Sequence, residues 1–590
     1  MTTANPPLWV TAAALLCLMP MVAGAATWFV APDGSDAAGD GSAGNPFATI
    51  TRAVDGAAGG DEVIVKPGTY NGRQRLRREF DVPVTVRSEV PYQARLRHDG
   101  GAALIAFTAR NIIIEGFDIA HAPDNTTGLV IQVQDLLGQF NGSAGGTDAV
   151  VSGIVFRDNI IHSSTNNDLL KINNGAENIL VEGNLFFNQF GSDEHIDINS
   201  VIDVTVQDNI FLNTPERPDT SSFVVIKDSN GSSDTVLGTQ QVTVRRNVFL
   251  NWYGSSGQSF VRLGEDGTAN FEAIDILVEN NLMLGNSGNL MRTPFTVQGS
   301  RDVVFRNNTI TGDMPSRSFA GRLIAVSANQ PNENLVFANN IWSDPTGTMG
   351  SEAFAGVDLF DSPMDDTVSA LLDNNLYYNG GDPIPQDSGQ FLTFADDINS
   401  LVGAPLLAEP SREPLNNSAR SAFQSEKPQI VWCSYHDKRS DSSRSYGRVA
   451  RRARCGFSGE THTGRASAGP PPRLSSLIWN NQTTLTQAKP EPPAETPSRP
   501  RRVIQRFPSA IAPVWDGVSF ADGSATIRQA FQRLVGDFAV PADGSPVIDA
   551  ADPAQAPIDD ILGQIRGASP DLGALETNPA DDTIFADGFE

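Results

Sequence analysis

Charged side chains, most of them cationic, recur in short stretches of similar pattern along the middle of this chain. The stretches are LLKIN (169–173), HIDIN (195–199), VVIKD (224–228), FVRLGED (260–266) and LMRTP (290–294). Each places a polar residue among apolar neighbours, and these residues are Lys171, Asp197, Lys227, Arg262 and Arg292. Lysine is scarce, because outside residues 408–512 the chain contains only Lys66, Lys171 and Lys227.

Acidic residues lie close to these cations in the sequence. Asp193, Glu194 and His195 precede Asp197, and Asp228, Glu265 and Asp266 belong to the following stretches. Carboxylate oxygens are the ligands that Ca²⁺ prefers. Asp193, Glu194, Asp197 and Asp228 are therefore candidate calcium ligands, and His195 is a candidate acid or base.

Together these residue types suit β-elimination from a uronate polymer. That reaction needs a cation against the substrate carboxylate, a base for the C5 proton and an acid for the leaving oxygen. Lys227 or Lys171, with a lowered pKa, is the candidate base. Arg262 and Arg292 are candidate carboxylate clamps, and His195 is an alternative base or acid.

Each candidate also has an ordinary structural interpretation. The lysines can be solvated strand residues, the arginines can pair with carboxylates across strands, and the Asp193–Glu194 pair can be a polar turn. The alternative function is accordingly a non-catalytic carbohydrate-binding protein or adhesin.

The candidates meet only if the stretches stack, and a second repeat predicts that they do. The repeat reads, for example, ILVEGNLFF (179–187) and VTVQDNIFL (204–212). Its asparagines are Asn159, Asn184, Asn209, Asn247, Asn281, Asn308, Asn340 and Asn375. The shortest spacing, 25 residues, suits one coil of a solenoid and is too short for a propeller blade.

The asparagine marks a bend between two strands of alternating apolar and polar residues. We expect the asparagine itself to adopt left-handed backbone geometry. Stacked coils would then join their amides in a ladder of hydrogen bonds.

These repeats resemble the pectin-lyase-like superfamily, as does the opening segment WFVAPDGSDAAGDGSAGNPFATITRAVDGAAGGDEVIVKPGTYNG (28–72). The resemblance implies an all-β fold, a single-stranded right-handed parallel β-helix over 27–407 with an N-terminal cap (27–72) and a cap helix near Phe47–Ala57. It also implies that residues 513–576 close the β-helix, leaving 577–590 as an acidic tail.

The resemblance implies an exported polysaccharide lyase, or a related C5-epimerase, acting on an acidic polysaccharide. The combination of Asp-Asp, Gly-His-Gly and Arg-Ile-Lys signatures that polygalacturonases carry is missing from the sequence, which disfavours hydrolysis by paired carboxylates. The Arg-x-Pro-x-x-Arg pattern of the main pectate lyase group is missing too. Asp193-Glu194-His195 loosely resembles the Asp-Pro-His of alginate epimerases.

Composition and charge are consistent with an exported protein, which we expect to be a monomer. Residues 1–26 have the apolar run and small-residue cleavage pattern of a signal peptide, so we expect a secreted or periplasmic protein with no membrane span after its removal. The net charge is −27, and the body has no basic footprint for nucleic acid.

Residues 408–512 lack the repeat. Residues 411–510 contain 17 Lys and Arg against 7 Asp and Glu, together with abundant Pro and Ser. Three interpretations remain open: a basic arm, an irregular insertion, or a shifted reading frame in the gene.

Overall fold

The computed structural model describes residues 24–134, 151–408 and 512–579, with gaps. The positions outside the description within these ranges are 124, 126, 192, 215–219, 230–235, 251, 255–258, 288, 290, 313–315, 317, 347–357 and 386–388. Residues 1–23 of the predicted signal peptide, residues 580–590 of the acidic tail and nearly all of the basic segment 408–512 therefore lie outside the described residues.

The chain winds through three parallel sheets, one strand of each per coil. Sheet A has twelve strands: β1 Thr27–Val30, β2 Glu62–Val65, β5 Glu79–Ser88, β8 Arg110–Glu115, β11 Ser152–Arg157, β14 Glu177–Glu182, β17 Ile202–Gln207, β20 Thr239–Arg245, β23 Ala273–Glu279, β26 Ser300–Arg306, β29 Glu333–Ala338 and β32 Ala370–Asp373.

Sheet B has ten strands: β4 Gln74–Leu76, β7 Leu104–Phe107, β10 Ile131–Gln134, β13 Leu170–Asn173, β16 Glu194–Asn199, β19 Ser222–Lys227, β22 Val261–Leu263, β25 Phe295–Gln298, β28 Ser318–Ile324 and β31 Asp358–Asp361.

Sheet C has twelve strands: β3 Gly68–Asn71, β6 Ala94–His98, β9 Asp118–His121, β12 Ile160–His162, β15 Leu185–Phe187, β18 Ile210–Leu212, β21 Val248–Phe249, β24 Leu282–Gly285, β27 Thr309–Gly312, β30 Ile341–Asp344, β33 Leu376–Asn379 and β34 Leu401–Val402. The predicted right-handed parallel β-helix is thereby confirmed.

Alternation along each strand gives the solenoid its core. In β14, Ile179 and Val181 point inward and are buried, while Leu180 between them is partly exposed. The coil above repeats the pattern in register, because Ile179 pairs with Val204 and Val181 with Val206. Each coil therefore buries its apolar residues against its neighbours, as expected for a solenoid.

The asparagine ladder joins the coils at the corner between sheets A and C. Nδ2 of Asn184 donates to Oδ1 of Asn209 at 3.0 Å, and Asn209 repeats this contact with Asn247 at 3.0 Å. The eight predicted asparagines form one continuous series. The series ends on Asp397, whose Oδ2 accepts from Asn375 at 2.8 Å.

The expectation that these asparagines adopt left-handed geometry is wrong. The left-handed residue is the one before each asparagine, such as Asp208 (φ 59°), Arg246 (φ 52°) and Gly183 (φ 67°). The reversal at that residue turns the asparagine side chain inward, where it is fully buried. There its amide replaces solvent as the partner of backbone groups.

The predicted cap helix is present as α1, Ile50–Gly56. It begins three residues later than Phe47 because Oγ1 of Thr49 accepts from the Arg52 backbone nitrogen at 3.1 Å and acts as the N-cap. A 3₁₀ helix at Phe394–Asp396 and a second α-helix, α2 Ile527–Phe538, complete the described elements. Neither α-helix is long and apolar enough to cross a bilayer.

Residues 512–579, which include the segment predicted to close the β-helix, pack along the outer face of sheet C as far as its last coils. The buried face of α2, including Phe531 and Leu534, packs on apolar residues from the outer face of sheet C such as Leu212 and Val248. Trp515 lies against the early coils through Asp118, and Leu407 pairs with Pro541 at the last coils. The reason is that sheet C is apolar on its outer face and must be covered.

Candidate functional site

The candidate site is the outer face of sheet B, where strands β10 to β28 bring distant residues into register. Lys171 pairs with Asp197 in β16. Asp197 pairs with Val225 in β19, and Val225 with Arg262 in β22. The inward neighbours Ile172, Ile198 and Ile226 belong to the core, so this row faces outward.

Two of the residues that the sequence singled out, Lys227 and Arg292, lie outside this row. Lys227 lies two residues beyond Val225 and pairs with Asn199, so it belongs to the adjacent outward row. Arg292 precedes β25, and Thr296 takes the position beside Arg262. Arg322 follows Thr296 in the row. The reason is that the loop lengths between coils differ, so equal strand patterns do not imply equal register.

Asp197 lies between the two lysines. Its Oδ2 is 2.5 Å from Nζ of Lys171 and 3.5 Å from Nζ of Lys227. Lys171 also approaches Asp168 at 3.7 Å, and Lys227 approaches Glu265 at 2.5 Å. Each lysine therefore contacts two carboxylates and shares one of them.

The sequence analysis predicted a lowered pKa for the catalytic lysine, but these carboxylates raise the pKa of both lysines. Burial favours the neutral amine, but Asp197 and Asp168 outweigh it and raise the pKa of Lys171. Asp197, Glu194 and Glu265 similarly outweigh burial and raise the pKa of Lys227. Both amines are therefore held as cations in this arrangement.

A cluster of three carboxylates adjoins Lys171. Oxygens of Asp168, Asp193 and Glu194 all lie within 4.8 Å of one another. Asp168 and Glu194 are buried, and Oδ2 of Asp168 and Oε2 of Glu194 accept no hydrogen bond from the described residues. Burial and the neighbouring carboxylates raise the pKa of Asp168 to about 8, and they raise that of Glu194 well above its usual range.

This acid cluster suits a hard divalent cation. Carboxylates crowded in a buried site carry a cost that a cation removes. Two predicted ligands, Asp193 and Glu194, belong to it, and Asp168 joins them although the sequence analysis did not single it out. Asp168 stands three residues before Lys171, so an acidic residue just ahead of the strand was the available signal.

The other two predicted calcium ligands have different partners. Asp197 pairs with the lysines. Asp228 accepts from Oγ of Ser200 at 3.1 Å and from the Gly238 nitrogen at 3.1 Å. Asp228 therefore holds a turn between coils and does not belong to the acid cluster.

His195 does not face the outer surface. It is fully buried, its ring lies 4.6 Å from that of Phe223, and its Nε2 is 3.1 Å from Oδ1 of Asn213. Burial lowers its pKa to about 3, against a smaller opposing effect of Asn213. The prediction of His195 as acid or base is thus contradicted, because its ring packs among core phenylalanines.

Arg262 is joined to Lys227 through one carboxylate. Oε1 of Glu265 lies 2.7 Å from Nη1 of Arg262, and Oε2 lies 2.5 Å from Nζ of Lys227. Further along, Arg322 pairs with Asp361 at 2.8 Å. The outer face of sheet B therefore carries a series of paired charges, whereas the residues singled out from the sequence were four cations and one aspartate.

No protein-family description and no curated protein matches this sequence. Among solved structures, the chain is similar to an alginate lyase from Paenibacillus sp. (15% identity, 49% of this chain and 91% of that chain, TM-score 0.35). It is also similar to a mannuronic acid specific polysaccharide family 6 lyase from human gut microbiota (13%, 63% and 84%, TM-score 0.38).

Another similar structure is the pectate lyase Pel9A (13% identity, 67% of this chain and 93% of that chain, TM-score 0.35). At such identities the likeness concerns the fold, and function has to be argued from the site itself.

Proposed function

We propose that the protein is an exported polysaccharide lyase that cleaves a uronate-containing polymer by β-elimination. The observation that carries the proposal is the placement of Lys171, Lys227 and Arg262 on one outer face, beside a buried acid cluster suited to a divalent cation. Export rests on the signal-peptide pattern of residues 1–26.

The cations provide the binding determinants for a carboxylated sugar. The Arg262 guanidinium offers a planar pair of donors to a carboxylate. Lys171 and Lys227 flank Asp197 on the neighbouring coils, so an extended polymer lying across the coils would meet three cationic groups. Ca²⁺ held by Asp168, Asp193 and Glu194 would supply the charge that neutralises a substrate carboxylate.

The two lysines suit different halves of the proton transfer. Lys227, paired with both Glu265 and Asp197, is the proposed acid, and its Nζ proton goes to the leaving oxygen. Lys171 is the proposed base, because one of its two carboxylate partners, Asp168, belongs to the acid cluster. If Asp168 bound Ca²⁺ instead of Lys171, the pKa of Lys171 would fall. A larger fraction of Lys171 would then be the neutral amine, which is the form that can accept the C5 proton.

The test is ultraviolet absorbance of unsaturated products from a panel of uronate polymers, with Ca²⁺ or with a chelator. We expect Lys171→Ala and Lys227→Ala each to lower turnover at least about 100-fold. Lys66→Ala is the matched control, because Lys66 hydrogen-bonds to the Ala43 carbonyl in the cap. No absorbance rise with any polymer contradicts the proposal, and altered C5 stereochemistry without cleavage identifies an epimerase.

A non-catalytic carbohydrate-binding protein is the second candidate. The raised pKa values of both lysines favour it, because cationic amines bind carboxylates but do not accept protons. In that case the wild-type protein retains the polymer on an affinity gel without shortening it.

A further inference from the structure

Glu265 sets the separation of two proposed functional cations. Its two carboxylate oxygens contact Nη1 of Arg262 at 2.7 Å and Nζ of Lys227 at 2.5 Å. Glu265 is not in a strand: it follows β22 in a turn that starts at Gly264. Its position therefore depends on what holds that turn.

The turn is held by one buried carboxylate, that of Glu272. The backbone nitrogens of Glu265 and Asp266 donate to Oε2 at 2.6 and 2.9 Å, and that of Gly267 donates to Oε1 at 2.7 Å. Three successive N–H groups thus converge on a single side chain that has no solvent exposure. Such charge-assisted hydrogen bonds are stronger than neutral ones.

Glu272 is fixed in turn by two neighbouring coils. Nδ2 of Asn329 donates to Oε1 at 2.7 Å, and Nε2 of Gln298 approaches the same oxygen at 3.3 Å. Oε1 of Gln298 also accepts from Arg262 at 3.3 Å. The network therefore runs from Asn329 through Glu272 to the turn that carries Glu265, and back to Arg262.

Backbone geometry leaves the turn little alternative. Gly264 has φ +74°, and a Cβ at that position would lie 1.9 Å from the Gln298 carbonyl oxygen. The chain passes directly against the next coil there, which only glycine permits.

We propose that Glu272 is a positioning residue: by anchoring the 264–267 turn, it places Glu265 between Lys227 and Arg262 and so sets the spacing of these two cations. This inference rests on the proposed function for its catalytic meaning, but the placement can be measured without any substrate.

The experiment follows acylation of Lys227 in the full-length protein with acetic anhydride across a range of pH, using peptide mass spectrometry. The charged groups around this amine are Asp197, Glu194, Glu265 and the more distant Lys171. Removing one carboxylate lowers the pKa of the amine. Glu265→Gln is therefore expected to raise the rate near neutral pH about tenfold, as a one-unit shift does.

Glu272→Gln keeps the size of the side chain but cannot accept at both positions. It is expected to raise the Lys227 rate at least about threefold in the same direction as Glu265→Gln. Asn329→Ala, which removes one donor to Glu272, should produce a smaller rise, and it decides the question if Glu272→Gln does not fold.

Asp61→Asn is the matched control, because Asp61 also holds backbone nitrogens, those of Ala26 and Ala58, both at 2.8 Å, but in the N-terminal cap. It should leave the Lys227 rate unchanged. The inference is overturned if Glu272→Gln leaves the Lys227 acylation rate at the wild-type value. If Glu272→Gln does not fold, the same result with Asn329→Ala overturns it. If the variants change the Lys227 acylation rate as expected but the wild-type protein cleaves no polymer, the positioning role of Glu272 is upheld and the proposed function is refuted.

Discussion

At the scale of residues, charge pairing decides what the cations of sheet B can do. The sequence placed Lys171 and Lys227 in similar strands, but it could not show that Asp197 lies between them. The same is true of Asp168, which enters the acid cluster because the turn before β13 lies beside Asp193 and Glu194. A carboxylate within a few ångströms reverses the effect of burial on a lysine, and such distances arise only when coils stack.

The raised pKa values in the acid cluster predict how its calcium affinity responds to pH. Asp168 has a pKa of about 8, and that of Glu194 is also raised, so protons occupy the cluster at neutral pH in the cation-free protein. Calcium must displace them. We expect affinity, measured by isothermal titration calorimetry, to rise as pH increases from about 6 to 9, with proton release on binding.

Asp168→Asn should abolish calcium binding at this cluster, whereas Asp228→Asn should not, since Asp228 holds a turn elsewhere. A calcium affinity that stays constant over that pH range would contradict the assignment of these carboxylates as ligands.

At the scale of elements, the corner between sheets A and C is the most regular feature of the fold. The sequence predicted its ladder from the asparagine spacing, and the structure confirms the ladder while moving the left-handed residue one position earlier. The spacing shows which residues repeat but not which of them is left-handed. A left-handed asparagine and a left-handed residue just before it would give the same repeat in the sequence.

Replacing Asn247 tests the ladder. Its Oδ1 accepts from the backbone and side-chain nitrogens of Asn209, and its Nδ2 donates to Val206 and Asn281. Asn247→Ala leaves buried groups without partners, and we expect a loss of roughly 2–4 kcal/mol in the free energy of unfolding. Urea denaturation measures it, and the outward-facing Thr243→Ala on the preceding strand should cost much less. Equal losses would show that the ladder adds nothing beyond ordinary packing.

At the scale of the whole molecule, residues 512–579 pack along the outer face of sheet C and connect several coils. This segment is called the brace below. Its contacts join positions far apart in sequence: Trp515 donates to Asp118 near the start, and Arg246 pairs with Asp559 in the middle at 2.6 Å. The apolar outer face of sheet C explains why these residues cover it, whereas the sequence predicted only that they close the β-helix.

Leu534 in α2 provides the corresponding test. It is fully buried against the outer face of sheet C, so Leu534→Ala should reduce the free energy of unfolding by roughly 2–5 kcal/mol. Arg528→Ala on the same helix is the control, since half of that side chain is exposed (50%). Thermal unfolding and limited proteolysis between residues 512 and 579 measure the effect. Unchanged stability in Leu534→Ala would mean that the brace is dispensable.

The sequence by itself determined the solenoid, its cap helix and the strands that carry the candidate cations, because those features depend on local alternation and on repeats. Only the tertiary structure decided that His195 points into the core, that Arg292 leaves the row while Arg322 enters it, and that Glu272 anchors Glu265. The physical reason is that register between coils is set by loop length and by contacts across coils. A one-residue slip there exchanges the inner and outer faces of a strand.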